Sequence, residues 1–151
     1  MNSRDYRALF DLTDQVAIVT GGGGGLGREI ARGLAGFGAH LVIADLAPGL
    51  AEAAAREIQG AGGKARALEV DVTDPSSAHA LAHVVATEEG RIDILVNAAG
   101  VFSVAPALEL TPETWSKTLE VNLTGVFLVS KAVGAVMLRQ GRGKIINLAS
   151  V

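Results

Sequence analysis

The chain has 151 residues, of which 49% are hydrophobic, and this is enough for the core of one domain. Thirteen basic and sixteen acidic residues give a formal net charge of −3, which excludes the broad positive field of a nucleic-acid or anionic-lipid binder. The absence of cysteine excludes disulfides and thiolate metal sites, so we expect a reducing cytoplasm. We expect no membrane span either, because the apolar segment from Val126 to Leu138 is short and contains Lys131.

Five short apolar runs alternate with segments of helical periodicity, after an N-terminal arm over residues 1–15. The runs are predicted as strands over residues 16–20, 40–44, 65–70, 92–96 and 144–148. Helices are predicted to begin near residues 26, 50, 75 and 112. The last two follow Asp74 and Thr111, each a helix cap before proline, and the last runs to about Arg139. This alternation predicts an α/β fold with a parallel sheet over residues 16–151, either doubly wound or a β/α barrel.

A run of five glycines joins the first predicted strand to the first predicted helix. The segment Thr20 to Gly27 has the sequence TGGGGGLG, which contains the patterns GxGxxG and TGxxxGxG. Glycines here let the backbone approach a pyrophosphate, whose charge is favoured by the helix N-terminus. A flexible turn would also be rich in glycine, but the strand before it and the helix after it favour a dinucleotide site in a doubly wound, Rossmann-type sheet.

Asp45 ends the second predicted strand, eighteen residues after Gly27. A Rossmann domain has at this place the carboxylate that accepts hydrogen bonds from the adenosine ribose, so Asp45 predicts NAD as the cofactor. A 2′-phosphate would meet a like charge there, and the glycine turn has no basic residue before Arg28. We therefore expect NADP to bind poorly. A solvated loop acid is the alternative for Asp45.

Four motifs occur in order along the chain: TGxxxGxG at Thr20–Gly27, NAAG at Asn97–Gly100, NxxG at Asn122–Gly125, and INLAS ending at Ser150. With these motifs the chain from Val16 onward resembles the short-chain dehydrogenase/reductase family and, more loosely, bacterial polyol and sugar-acid dehydrogenases. The resemblance implies hydride transfer between a nicotinamide cofactor and a small secondary alcohol or ketone.

The resemblance also assigns residues to the cofactor. Asp71 and Val72 would flank the adenine, with Asp71 accepting from its exocyclic amine, although acids are also common in turns before helices. The NAAG motif would form the floor beside the ribose, and many family members have asparagine where this chain has Ala98. The residues expected to bind NAD are Gly21, Gly25, Leu26, Gly27, Asp45, Asp71, Val72, Asn97, Ala98, Ala99 and Gly100.

Ser150 and Asn122 match the family's catalytic group. The resemblance implies that Ser150, at the carboxyl end of the fifth strand, hydrogen-bonds the reacting oxygen of the substrate, and that Asn122 orders a water of a proton relay. By residue type alone, Asn122 would be a polar helix residue bonded to nearby backbone. The family's YxxxK pair has no match, because the only tyrosine is Tyr6. We therefore expect a sheet incomplete on its C-terminal side and no hydride transfer by the chain alone.

Two other protein classes share parts of this pattern. A non-catalytic nucleotide-binding or scaffold protein could keep the same fold, and a Rossmann methyltransferase can also have an acid after its second strand. The NAAG and INLAS motifs favour the dehydrogenase over the methyltransferase. His79 and His83 lie four residues apart on a predicted helix without a third ligand nearby, so we expect a solvated face and no metal site.

The long last helix has apolar residues on more faces than one sheet can cover. We expect it to pack against a symmetry mate, giving a homodimer or homotetramer, unless helices from outside the chain cover it. The apolar positions are Trp115, Leu119, Val121, Leu123, Val126, Phe127, Leu128, Val129, Val133 and Val136.

Overall fold

The short apolar runs form one parallel sheet in the computed structural model, which describes residues 9–149. The strands are β1 (Val16–Thr20), β2 (His40–Asp45), β3 (Lys64–Glu69), β4 (Ile94–Asn97) and β5 (Lys144–Asn147). Their order across the sheet is β3-β2-β1-β4-β5, and every pairing is parallel. The chain crosses over after β3, so β1 and β4 flank a topological switch point. The doubly wound prediction is confirmed, and the barrel is excluded.

Helices follow the strands as the periodicity predicts. They are α1 (Gly25–Gly36), α2 (Pro48–Gly60), α3 (Pro75–Glu88), α4 (Pro112–Leu119) and α5 (Val126–Gln140), with a π-helical segment over Glu120–Gly125 between the last two. Asp74 caps α3 by accepting from the Ser76 N–H at 2.9 Å, and Thr111 caps α4 by accepting from the Thr114 N–H at 3.2 Å. Both predicted helix starts are confirmed. The π segment interrupts what the periodicity predicted as one regular helix.

The sheet separates two hydrophobic cores. Alternate residues of β1 enter different cores, since Val16 and Ile18 pack with α3 and α5, whereas Ala17 and Val19 pack with α1 and α2. All four side chains are buried. Burial on both faces accounts for the uninterrupted apolar sequence of the strand.

The helix over Pro112–Gln140 has 29 residues and is, by length and composition alone, long and apolar enough to cross a membrane. It extends well beyond the apolar segment from Val126 to Leu138, for which we expected no membrane span. Val129 and Val133 on it are completely buried in the core shared with α3. The helix thus contributes part of its apolar surface to the core of the domain.

Strand β4 begins at Ile94, two residues later than predicted. The backbone N–H and carbonyl of Ile92 bond to a side chain and not to a neighbouring strand. The Ile92 N–H donates to Gln140 Oε1 at 2.9 Å, and the Ile92 carbonyl accepts from Gln140 Nε2 at 2.8 Å. The side-chain amide of Gln140, at the end of α5, therefore replaces the strand hydrogen bonds just before β4.

Asp93 joins three strands at the amino edge of the sheet. Its carboxylate accepts from the Arg91 guanidinium at 2.6 and 2.7 Å and from the Val16 N–H at 3.0 Å, and Arg142 lies 3.6 Å away. Its backbone carbonyl accepts from the Lys144 N–H at 2.8 Å. Burial by itself would raise the pKa of Asp93, but these partners outweigh it and hold the pKa below its ordinary value.

Replacing Asp93 by asparagine should lower the free energy of unfolding by about 2 kcal/mol, because the charged pair with Arg91 and one of the two carboxylate acceptor oxygens are lost at a buried position. The depressed pKa means that this stabilisation is complete above about pH 5 and decreases as the pH falls below about 4. Urea titrations of both proteins between pH 3 and 7 measure it.

The matched control is Glu52→Gln, which removes the exposed pair with Arg56 and should cost no more than about 0.5 kcal/mol. A loss at Asp93 no larger than this control, or one that does not depend on pH, would contradict the role assigned to Asp93.

Candidate functional site

A cleft of about 500 Å³ opens at the carboxyl ends of the strands, where the switch point of an open sheet leaves space for a ligand. The glycine turn, the end of β2 and the loops after β3 and β4 line it. The predicted cofactor residues that the structure brings together here are Gly21, Gly25, Leu26, Gly27, Asp45, Asp71, Val72, Ala98, Ala99 and Gly100.

Asn97 is the one predicted cofactor residue whose side chain does not line the cleft. It is 3% exposed and lies within the sheet. Its Nδ2 donates to Asn147 Oδ1 at 2.8 Å and to Ser130 Oγ at 2.9 Å. These bonds connect β4 to β5 and to α5, so Asn97 positions the strand ends beneath the site.

The glycines of the turn divide into two kinds. A Cβ on Gly27 would lie 2.3 Å from the Gly21 carbonyl oxygen, and one on Gly21, whose φ is +64°, would lie 2.7 Å from the Ala99 backbone. These two positions allow backbone to pack on backbone. Gly24 and Gly25, in contrast, have no atom within 4 Å of the added Cβ and line the open cleft.

The N-terminus of α1 lies at this open part of the turn. Gly24 is its N-cap residue and makes no side-chain cap hydrogen bond, and the first turn has no acidic residue. The N–H groups and the dipole of a helix start in this condition favour a bound anion. The arrangement fits the pyrophosphate of a dinucleotide.

Backbone N–H groups fix both carboxylate oxygens of Asp45. Its Oδ2 accepts from the Gly23 N–H at 3.0 Å, and its Oδ1 accepts from the Ala47 N–H at 3.0 Å. Each carboxylate oxygen keeps a second lone pair that can accept from a ribose hydroxyl. Asp45 is partly buried at the cleft, and its contact with the ribose stays a prediction.

Asp71 also uses its carboxylate to fix a turn at the cleft. Its Oδ1 accepts from the Thr73 hydroxyl at 2.6 Å and from the Thr73 N–H at 2.8 Å. These two bonds, with a smaller contribution from the charge of Lys117, hold the pKa of Asp71 below its ordinary value. Lys117 lines the same cleft and was not among the predicted residues. A lone lysine on a helix gives no motif that could have identified it.

Three leucines give the cleft an apolar rim, and only Leu26 was among the residues predicted to bind the cofactor. Leu26 and Leu50 are 72% and 55% exposed and line the cleft, as does Leu46, which is 64% exposed. They lie at or before the first turns of the helices, beyond the strand ends, where no sheet covers them. Apolar lining of this kind suits the flat faces of a bound base or ring.

Asn122 lies in the π segment, close to the loop after β4. Its Nδ2 donates to the Val101 carbonyl at 2.9 Å, and its Oδ1 accepts from the Val101 N–H at 2.8 Å. The backbone partner of Asn122 thus lies in another loop, 21 residues away in the sequence, and the water-ordering role stays a prediction. Ser150 lies outside the described residues, as does Tyr6.

The two helical histidines have exposed side chains on α3. Within residues 9–149, no group of three histidine, aspartate or glutamate side chains is arranged to hold a metal ion.

The two kinds of glycine should respond differently to alanine. Gly27→Ala should destabilise the fold by several kcal/mol, since its Cβ would overlap the Gly21 carbonyl. Gly24→Ala should leave the protein folded, because its φ is −154° and the space is open, but should weaken dinucleotide binding about tenfold by filling the anion cradle. Thermal melting and calorimetric titration separate the two effects. Normal nucleotide binding by a folded Gly24→Ala protein would mean that the cradle is not used.

The comparisons with known proteins agree with this geometry. The family profile described as short chain dehydrogenase matches residues 15–151. The chain is similar to D-threitol dehydrogenase of Mycolicibacterium smegmatis, with 48% identity over 141 residues, which are 93% of this chain and 54% of the relative. It is also similar to NAD-dependent glycerol dehydrogenase of Listeria innocua, with 37% identity over 150 residues, which are 99% of this chain and 58% of the relative.

A solved structure shows the same architecture. A protein from Beutenbergia cavernae, described as an NAD(P)-dependent gluconate 5-dehydrogenase and holding NADP at low occupancy, superimposes with a TM-score of 0.87. It shares 39% identity, over 94% of this chain and 56% of its own. The chain spans little more than half the length of the curated relatives that it matches. From the match over 15–151, the strand order and the glycine turn, the chain belongs to the short-chain dehydrogenase/reductase family.

Proposed function

We propose that this chain is the cofactor-binding part of an NAD-dependent dehydrogenase that oxidises a polyol or similar secondary alcohol, or reduces the corresponding ketone. The observation that carries the NAD preference is the carboxylate of Asp45, fixed by two backbone N–H groups at the cleft. When bound, the nicotinamide accepts the hydride of the alcohol or donates one to the ketone. The names of the relatives, which include threitol and glycerol dehydrogenases, support this substrate class.

The charges around the glycine turn support NAD over NADP. Arg28, the first basic residue after the turn, bonds to Glu57 on α2 and does not line the cleft. The Arg28 hydrogen bond lowers the pKa of Glu57, so the pair stays ionised near neutral pH. A 2′-phosphate on the ribose would then meet the charge of Asp45 without a free arginine from this helix to offset it.

The residues of this chain would bind and orient the two reactants. The loop after β4, held by Asn122 at Val101, would support the nicotinamide side of the cofactor, and Ser150 would bond the reacting oxygen. Neither side chain has a pKa suited to carry the proton at neutral pH. The acid/base of the family is the tyrosine of its YxxxK pair, which has no match in these 151 residues, so we propose that the 151-residue chain alone is inactive.

An oligomer is part of the proposal. Trp115, Leu119, Leu123 and Phe127 recur every fourth residue along α4, the π segment and the start of α5, and all four are exposed. Such a stripe, on a helix whose opposite side is buried in the core, suits an isologous contact with a second copy. We propose a homodimer or homotetramer built on this stripe.

Titration with both nucleotides tests the cofactor preference. NAD should bind at least about a hundredfold more tightly than NADP, which corresponds to an unfavourable charge contact of ~3 kcal/mol. Asp45→Asn, which keeps one acceptor oxygen, should reduce this ratio, and Asp45→Arg should shift the preference towards NADP. The control Glu69→Gln removes an exposed carboxylate at the end of the neighbouring strand and should leave the ratio unchanged. Equal affinities in the unmodified protein would refute the role of Asp45.

Light scattering after size-exclusion chromatography of the protein tests the oligomer. Leu123→Glu should dissociate it by placing a charge in the apolar stripe. Val104→Glu, which changes an exposed apolar residue in the loop after β4, is the control and should leave the oligomer intact. An unmodified protein that elutes as a monomer would reject the interface.

A further inference from the structure

The loop after β3 and the long helix bring opposite charges to the same part of the cleft. Asp71 and Val72 come from the loop, and Lys117 and Val121 come from the helix; all four line the cleft. The two valines are buried, whereas the lysine side chain is 59% exposed. A flat ligand resting on the valines would therefore have an anion and a cation at its edge.

The two charged groups keep hydrogen-bonding capacity free for a ligand. Both bonds that the described residues make to the carboxylate of Asp71 go to Oδ1, and both come from Thr73. Lys117 Nζ lies 3.7 Å from Glu120 Oε2, which is an ion pair but too long for a hydrogen bond. Oδ2 of Asp71 can thus accept, and the ammonium can donate.

An adenine ring presents the complementary pattern. Its 6-amino group is a donor, and a ring nitrogen beside it is an acceptor. The family resemblance implies that Asp71 accepts from the 6-amino group, and we propose that Lys117 donates to the ring nitrogen beside it. The assignment rests on the proposed dinucleotide function and adds Lys117 to it as a specificity-determining residue.

Calorimetric titration of NAD into Lys117 variants tests the assignment. Lys117→Met should weaken NAD binding about fivefold to tenfold, as expected when one charge-assisted hydrogen bond is lost. Lys117→Arg keeps a donor and should retain most of the affinity. Lys131→Met is the matched control, since Lys131 lies on α5 over the Phe127 ring and away from the cleft residues, and it should bind NAD normally.

Deaza analogues of NAD separate a contact with the base from general attraction to the phosphates. The ring acceptors beside the amine are N1 and N7, and each can be replaced by carbon in the 1-deaza and 7-deaza adenine dinucleotides. The loss caused by Lys117→Met should disappear with one of the two analogues, because the bond is then already missing. A loss that persists with both, or one no larger than for Lys131→Met, overturns the role of Lys117 while leaving NAD binding intact. An unmodified chain that binds no NAD overturns the proposed function itself and this assignment with it.

Discussion

The site depends on a close contact between backbone segments that leaves no space for a Cβ atom. A Cβ on Gly27 would lie 2.3 Å from the Gly21 carbonyl oxygen, and a Cβ on Gly21 would meet the Ala99 backbone at 2.7 Å. The contact lets α1 start directly above the end of β1 and beside the loop after β4. The Thr20 hydroxyl reinforces it by accepting from the Ala98 and Ala99 N–H groups, at 3.3 and 3.4 Å. The helix N-terminus, the end of β2 and the NAAG loop meet around one cleft because these backbones can touch.

The two edges of the sheet use polar groups in opposite ways. At the amino edge, the Asp93 carboxylate accepts three hydrogen bonds, two from a guanidinium and one from a strand N–H, and the Gln140 amide bonds to both backbone groups of Ile92. Satisfied buried groups stabilise the fold and have little left to offer a ligand. At the carboxyl edge, Asp45 and Asp71 bond only to neighbouring N–H and hydroxyl groups and keep lone pairs facing a cleft. Polar groups at the amino ends of the strands thus stabilise the fold, whereas those at the carboxyl ends remain available to bind a ligand.

Much of the fold could be predicted because the signals are local. Strand periodicity, the cap residues Asp74 and Thr111, and the glycine turn each depend on a few consecutive residues, and the structure has all of them. The start of β4 could not be predicted in this way, because it depends on Gln140, which lies 48 residues from its partner Ile92.

The candidate site shows the same limit. The glycine motif indicated a cofactor contact for Leu26, but no local pattern indicated one for Leu50, which lines the cleft because the first turn of its helix extends past the strands. The NAAG motif suggested one role for four residues, but the side chain of its first residue lies inside the sheet, because successive residues at a strand end point in different directions. Lys117 belongs to no motif and was found only through its neighbours in space.

The NxxG motif contacts both loops of the cleft, one after β3 and one after β4, and fixes their positions relative to the long helix. Asn122 hydrogen-bonds the backbone of Val101 in the loop after β4. Gly125, three residues later, lies so close to the loop after β3 that a Cβ on it would be 2.8 Å from Val72 Cγ2. A single turn of the long helix therefore fixes both the nicotinamide side and the adenine side of the proposed cofactor site. This turn is π-helical, and such segments occur frequently at functional sites. The helix continues through this turn from α4 into α5, so both contacts belong to one uninterrupted element of the fold.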